Sequence, residues 1–128
     1  MLFRARNVHI KTPREIECMR EAGRLAAETL WAVGRIIKPG ITTDEINDFV
    51  HQDTLAKGAR PAPLNYMGFP KSVCTSINHV VCHGIPGPER LKDGDIINVD
   101  VTHLYKGFHG DTSATFYVGT PSDEAKKV

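Results

Sequence analysis

Apolar residues recur at helical spacing through the first part of the chain and predict a first helix. The segment Thr12-Pro13-Arg14-Glu15 supplies an N-cap, a proline at the first helical position and a capping-box glutamate. Lys38-Pro39-Gly40 ends the pattern. The predicted inward face of this helix consists of Ile16, Met19, Gly23, Ala26, Leu30, Val33 and Ile37.

A second helix follows after this break. Thr42-Thr43-Asp44-Glu45 forms another capping box, and the apolar positions Ile46, Phe49 and Val50 face inward before the pattern fades at Lys57-Gly58. Residues 59–71, rich in proline and aromatic side chains, predict a loop. The runs SVCTSIN and VVCHGIP then predict two short strands or strand edges.

Alternating apolar and polar residues in runs 95–103 and 108–118 predict a β-hairpin, with its turn at 105–107. A turn centred between Tyr105 and Lys106 places Asp100 opposite Asp111, whereas a bulge at Gly107 makes that pair diagonal. The predicted apolar side carries Ile97, Val99, Val101, Phe108, Ala114 and Phe116. The predicted polar side carries Asn98, Asp100, Thr102, His109, Asp111, Ser113 and Thr115.

The order of elements, two helices and then strands, predicts one α+β domain over residues 1–128. We expect the two helices to pack on one face of a mostly antiparallel β-sheet. Thr120-Pro121-Ser122-Asp123 repeats the helix opening of residues 12–15, which predicts that a further helix begins near 121.

Two aspartates on the polar side of a hairpin need an explanation, because aspartate is depleted in strands. Facing carboxylates lie about 5 Å apart at their β-carbons and repel each other. One interpretation is a solvated pair on an exposed face, where the repulsion is weak. The other is a divalent metal ion that both Asp100 and Asp111 bind. The spacing alone leaves both open.

Composition narrows the setting. The 128 residues are 41% hydrophobic and 24% charged with a net charge of +1, which is typical of a globular domain and argues against nucleic-acid binding and against an acidic membrane surface. No apolar run reaches the roughly 18 residues of a membrane span, and residues 1–10 lack the apolar core of a secretion signal. Cys18, Cys74 and Cys82 fit no zinc or disulfide spacing, so we expect a cytoplasmic protein.

Two longer stretches carry a resemblance to a known family. GFPKSVCTSINHVVCHGIP, followed by LKDGDIINVDVTHLYKGFHGDTSATFYVG, closely resembles type I methionine aminopeptidases of the pita-bread metallopeptidase fold. A weaker likeness extends back through IKTPREIECMREAGRLAAETL. The resemblance covers nearly all of this chain but only the N-terminal half of such an enzyme.

The resemblance implies a function and a set of site residues. It implies a dinuclear metal centre, of cobalt, manganese, iron or zinc, with Asp100 and Asp111 among its ligands. His83 would be catalytic, contacting the scissile substrate and stabilising the transition state. The substrate would be a peptide or nascent protein with an N-terminal methionine. The pocket for the methionine side chain would draw on Tyr66, Phe69 and Cys74, with Pro63 where the family has a cysteine.

Other ligands of the family's metal centre, a histidine and two glutamates, belong to its C-terminal half, as does a second substrate-contacting histidine. We therefore expect this chain alone to show little or no peptidase activity. The alternatives are a non-catalytic pita-bread binding module, for a peptide terminus, a ribosome or another protein, and a half-domain that assembles with a complementary chain or with a second copy of itself. A prolidase-like relative fits the CHGIP motif less well.

The remaining histidines receive simpler interpretations. His9, His51, His79 and His103 are expected to be surface residues. His109, on the polar side of the hairpin, is expected to lie next to the metal ligands without binding the metal itself.

Overall fold

The computed structural model describes residues 8–128 and contains the predicted α+β arrangement, with helices packed on an antiparallel sheet. The 3₁₀ turns lie at Tyr66–Gly68 and Ala125–Lys127. The helices and strands are α1 (Pro13–Ile36), α2 (Thr43–Ala56), β1 (Arg60–Pro61), β2 (Cys74–Ile77), β3 (Ile96–Tyr105) and β4 (Phe108–Tyr117). No helix within residues 8–128 is long and apolar enough to cross a bilayer.

Both helices begin at the capping boxes that the sequence predicts. Thr12 Oγ1 accepts a hydrogen bond from the Glu15 backbone N–H at 3.3 Å, and Glu15 Oε2 accepts one from the Thr12 N–H at 2.7 Å. Thr42 and Glu45 form the same reciprocal pair, at 3.1 and 2.7 Å. These bonds satisfy N–H groups that a helix leaves unpaired at its start, so local sequence decides where each helix begins.

Strand β3 is the centre of the sheet. Strand β4 pairs along one side of it, while β1 and β2 pair along the other, all antiparallel. Among the described residues β4 pairs only with β3, so its outer edge carries no further strand. The sheet therefore has one long free edge, formed by β4.

The predicted strand VVCHGIP is wrong. Residues 80–86 form no strand, because His83 has a φ of 55°, which turns the chain away from an extended path. The segment instead crosses β2 at one point: Gly84 O accepts from the Thr75 N–H at 2.9 Å, and the Gly84 N–H donates to Ser76 Oγ at 3.1 Å. The strand predicted in SVCTSIN is confirmed as β2.

The direct pairing of Asp100 with Asp111, predicted for a turn centred between Tyr105 and Lys106, is wrong, and the diagonal arrangement arises without a bulge at Gly107, whereas the two predicted faces are correct. Tyr105 pairs with Phe108, so the turn consists of Lys106 and Gly107, with φ values of 50° and 81°. Two positive φ values are typical of a two-residue hairpin loop that matches strand twist. Asp100 therefore pairs with Ser113, and Asp111 with Thr102, which makes the two aspartates diagonal neighbours on one face.

The core lies between the helices and the apolar face of the hairpin. At the hairpin turn, Tyr105 OH and Lys106 Nζ donate hydrogen bonds to the two carboxylate oxygens of Glu21 in α1. The part of α1 that packs on the sheet begins at this contact. Helix α1 runs beyond the sheet before Glu21, which explains why Ile16 and Met19, predicted to face inward, are 46% and 40% exposed. The buried cluster is Ala26, Leu30, Val33, Ile46, Val50, Val73, Leu91, Ile97, Val99, Val101 and Val118.

Helix α1 lies directly against the backbone of β4. A Cβ atom placed on Gly110 would lie 2.2 Å from Ala22 O and 2.5 Å from Gly23 N, far closer than any side-chain carbon approaches. Glycine is therefore required at position 110 for the helix to reach the sheet.

His103 is buried, so the prediction of a surface residue is wrong. Its side chain points to the core from β3, on the same side as Val101, and is 0% exposed. Nε2 lies 3.0 Å from Thr54 Oγ1, while Nδ1 has no partner among the described residues. Burial lowers the pKa of this imidazole, and Lys57 lowers the pKa further. The ring is therefore neutral in the folded chain at pH 7.

We expect stability to fall in mild acid because of this histidine. The unfolded chain takes up a proton on His103 below about pH 6.5, whereas the folded chain resists protonation until lower pH. The contribution is complete above pH 6.5 and is lost at up to about 1.4 kcal/mol per pH unit below it. Urea unfolding between pH 5 and 7.5 measures this slope, and His103→Gln should flatten it. An unchanged slope in His103→Gln would assign the effect to other groups.

At the C-terminal end the described structure has one 3₁₀ turn, in which Ser122 Oγ accepts from the Ala125 N–H at 3.0 Å. The further helix near 121 and the single domain over residues 1–128 stay predictions.

Candidate functional site

The helices cover only one face of the hairpin, and the polar face forms the floor of a cavity of about 790 Å³. Segments 62–70 and 83–85, together with Cys74 on β2, form the walls of this cavity. All six residues that the sequence singled out line it, although they are up to 45 positions apart in the chain: Tyr66, Phe69, Cys74, His83, Asp100 and Asp111.

Asp100 and Asp111 stand on neighbouring strands at the floor. Thr102 Oγ1, directly opposite Asp111, donates a hydrogen bond to Asp111 Oδ1 at 3.1 Å and so orients that carboxylate. Partial burial raises the pKa of Asp100, and the negative charge of Asp111 raises it further. A cation between the two carboxylates would remove this repulsion.

His83 reaches the cavity from the segment that crosses β2. Gly84 makes this crossing possible, because a Cβ atom there would lie 1.9 Å from Thr75 O. His83 has a left-handed backbone and an exposed side chain that lines the cavity, and its proximity partly offsets the rise in the pKa of Asp100. A left-handed backbone at a non-glycine residue is uncommon and is often found at functional sites.

Tyr66, Phe69 and Cys74 form the apolar part of the wall. Tyr66 lies in the 3₁₀ turn and is 69% exposed, between Asn65 and Met67, which both have positive φ values of 66° and 47°. Burial raises the pKa of the Cys74 thiol to about 11, with Asp100 adding to the effect. This thiol is therefore protonated at neutral pH and behaves as a small apolar group.

The sequence analysis missed part of the lining. Met67 and Ile85, which are 89% and 60% exposed, were not singled out, although each is an apolar residue beside a candidate site residue. His109 lies at the cavity as expected, but among the described residues it makes no hydrogen bond to either aspartate. Pro63 also lines the cavity.

The floor suits a divalent cation, but only as part of a binding site. Carboxylate oxygens on two neighbouring strands are ligands that such ions accept, and burial together with the charge of Asp111 raises the pKa of Asp100, which a nearby cation would oppose. Within residues 8–128 no group of three or more His, Cys, Asp or Glu side chains could hold a metal ion. Asp100 and Asp111 therefore supply two ligands, and further ones must come from outside this set.

Comparison with known proteins identifies the family. The sequence profile of metallopeptidase family M24 matches residues 17–128. The chain belongs to this family. Membership of this metallopeptidase family implies divalent metal ions.

Relatives of this M24 chain include methionine aminopeptidases. The chain is 60% identical over 116 residues to methionine aminopeptidase A of Synechocystis sp., covering 90% of this chain and 46% of that protein. It is 54% identical over 121 residues to methionine aminopeptidase 1A of Arabidopsis thaliana, covering 94% and 30%. The crystal structure of the methionine aminopeptidase from Rickettsia prowazekii superposes with a TM-score of 0.93 at 51% identity, covering 94% and 49%. The chain thus spans less than half the length of these relatives.

Proposed function

We propose that these residues form the N-terminal half of a metal-dependent aminopeptidase that removes N-terminal methionine from peptides and nascent proteins. The observation that carries the proposal is the convergence of His83, Asp100 and Asp111 with an apolar wall on one cavity. A solvated pair of aspartates gives no reason for the left-handed backbone at His83 beside it, whereas such a backbone is often found at functional sites.

Each side chain has a role in the proposed reaction. Asp100 and Asp111 would hold two divalent ions, of cobalt, manganese, iron or zinc, and Thr102 keeps Asp111 in one orientation. The metal, when bound, supplies a hydroxide near neutral pH and polarises the scissile carbonyl. His83 donates a hydrogen bond to the substrate, at the oxygen where negative charge develops in the transition state.

The wall selects the methionine side chain. A flexible thioether fits an apolar pocket and makes favourable contacts with aromatic rings, here Tyr66 and Phe69. The protonated Cys74 thiol adds an uncharged, polarizable surface. Pro63 lines the same cavity, and its rigid ring replaces the flexible thiol side chain that the resemblance implies at this position.

The chain acts with further ligands. Two carboxylates leave most positions around each ion to water, so residues 8–128 alone should turn over little or no substrate. A complementary chain or half therefore belongs to the proposal, and so does a nascent chain at the ribosome as the source of substrate. The cytoplasm is the proposed compartment, because three free cysteines suit a reducing environment.

A second candidate is a binding module that holds a methionine-bearing terminus without cleaving it. The incomplete ligand set within the described residues favours it. Binding of a Met-Gly-Met peptide without hydrolysis, in the presence of a complementary half, would support this candidate over the enzyme.

Manganese binding and peptide hydrolysis test the proposal. Supplied with the complementary half of the Synechocystis sp. relative, the chain is expected to bind Mn²⁺ and cleave Met-Gly-Met. Asp111→Asn should weaken Mn²⁺ binding by at least about tenfold, since even partners of metal ligands cost 10–100-fold when mutated. Asp123→Asn is the matched control, because Asp123 is an exposed acid outside the cavity. Equal affinities and equal rates in the two variants would refute the metal site.

A further inference from the structure

Helix α2 contributes no residue to the cavity, yet its side chains hold the wall. Ser72 lies between the wall residues Phe69 and Cys74, in a stretch without regular structure. The Ser72 N–H donates to Asn47 Oδ1 at 2.8 Å, and Ser72 Oγ lies 2.8 Å from His51 Nδ1. Ser72 and Asn47 are only 2% and 8% exposed, so water cannot readily replace these bonds.

One turn earlier, α2 holds the same stretch by a charged contact. Lys71 Nζ donates to Asp44 Oδ1 at 2.7 Å, with both side chains partly exposed. This ion pair is the weaker part of the contact, because solvent screens it. The buried bonds to Ser72 carry the larger share.

The start of α2 also holds the segment that follows His83. Thr43 Oγ1 bonds both the carbonyl oxygen and the N–H of Gly87, at 3.0 and 2.9 Å. The Asp44 N–H donates to the same carbonyl at 2.9 Å. Thr43 is 3% exposed, so this attachment is also sheltered from water.

These contacts come from a single face of the helix. Thr43, Asn47 and His51 follow one another at intervals of four residues, which aligns their side chains along α2. We infer that α2 is the positioning element of the cavity, holding its apolar wall through Asn47 and His51 and the His83 segment through Thr43. As a statement about substrate selection the inference rests on the proposed function; as a statement about the wall it does not.

The physical reason is that this stretch has little other buried support. Between Phe69 and Cys74 no strand pairing fixes the backbone, and within residues 8–128 the Ser72 N–H donates only to Asn47. Without this acceptor the buried N–H must find water, and the stretch moves outward to reach it. That movement displaces Phe69 and uncovers Cys74.

The reactivity of Cys74 tests the inference without any substrate. Cys74 is 8% exposed, so alkylation by iodoacetamide, followed by peptide mass spectrometry, reports opening of the wall, with the exposed Cys82 as reference in the same sample. Asn47→Ala in the full chain is expected to speed Cys74 alkylation about tenfold. Asn47→Asp keeps an acceptor oxygen and should restore most of the protection.

Two controls separate positioning from general loss of stability. Gln52→Ala changes an exposed residue of α2 and should leave Cys74 protected. Val33→Ala destabilises the buried cluster from helix α1, so it should expose Cys74 mainly through global unfolding, which urea strongly promotes. Alkylation in Asn47→Ala should depend little on dilute urea. If Asn47→Ala matches Gln52→Ala, or if its alkylation follows urea as in Val33→Ala, the inference is overturned.

A kinetic measurement on the chain completed by a second half gives the catalytic consequence. Asn47→Ala should raise KM for Met-Gly-Met about tenfold with kcat nearly unchanged, because the wall binds substrate and transition state alike. Loss of kcat with an unchanged KM would contradict a role in the wall. Absence of hydrolysis in the parent chain would count against the proposed function, while the thiol measurement would still decide the inference.

Discussion

Gly110→Ala is expected to destabilise the chain by more than about 3 kcal/mol, the upper end of what overpacking usually costs. The added methyl would meet Ala22 O at 2.2 Å, and this atom belongs to the backbone of α1 rather than to a flexible side chain. The clash can be relieved only if the helix moves off the sheet, which would open the core. Urea unfolding followed by circular dichroism measures the loss.

Gly23→Ala is the matched control, because it adds the same methyl group to the helix side of the same contact. A Cβ atom on Gly23 would meet nothing within 4 Å, and Gly23 lies in the interior of α1. Alanine is the better helix former, so Gly23→Ala should stabilise the chain by about 0.5–1 kcal/mol. Two changes of opposite sign are expected at one interface. A loss below about 1 kcal/mol in Gly110→Ala would show that the helix does not press on β4.

Asp100→Asn is expected to be more stable than the parent chain without metal and less stable than the parent chain with metal. In a metal-free sample the raised pKa of Asp100 means that the folded chain loses stability as pH rises through that pKa, since ionisation is harder there than in the unfolded chain. Asparagine cannot ionise. The variant should therefore be more stable than the parent at pH 7 with chelator, by about 0.5–1 kcal/mol, and the difference should vanish toward pH 4.

Metal should favour the parent chain instead. An ion that binds only the folded state at 100 times its Kd adds about 2.7 kcal/mol of stability. The parent should gain this with Mn²⁺ and the complementary half present, whereas Asp100→Asn should gain little. Urea unfolding at pH 7, with chelator and with Mn²⁺, gives both numbers. A variant that is no more stable than the parent in chelator would show that the carboxylates do not repel, and the case for a cation between them would weaken.

Local features made the helices and the faces of the hairpin predictable. The capping boxes at Thr12 and Thr42 involve residues three apart, and the alternation along β3 needs only neighbouring positions. The register of the hairpin depends on positive φ values at Lys106 and Gly107, and the sequence Tyr-Lys-Gly alone does not indicate them. The burial of His103 is predictable in principle, because His103 follows the alternation of Val99 and Val101 on the core side of β3, but histidine as a residue type favours the surface.

The residues of the candidate site could be predicted from the sequence, but the contacts that bring them together could not. The resemblance named Tyr66, His83 and Asp111, and they line one cavity. Contacts between distant parts of the chain bring them together. Gly84 crosses β2, and Ser72 is held by Asn47, which lies 25 positions away in the sequence. No periodicity in the sequence records such contacts, because each depends on the packing of elements that are distant in the chain.

The free outer edge of β4 gives Asp111 a second importance. The strand FHGDTSATFY contains no lysine and no proline, the residues with which proteins commonly discourage edge-to-edge pairing of sheets. Asp111 is the one acidic or basic side chain on it apart from His109. The carboxylate proposed to hold the metal is thus also the one acidic group on this strand that can discourage pairing with the same edge of a second copy.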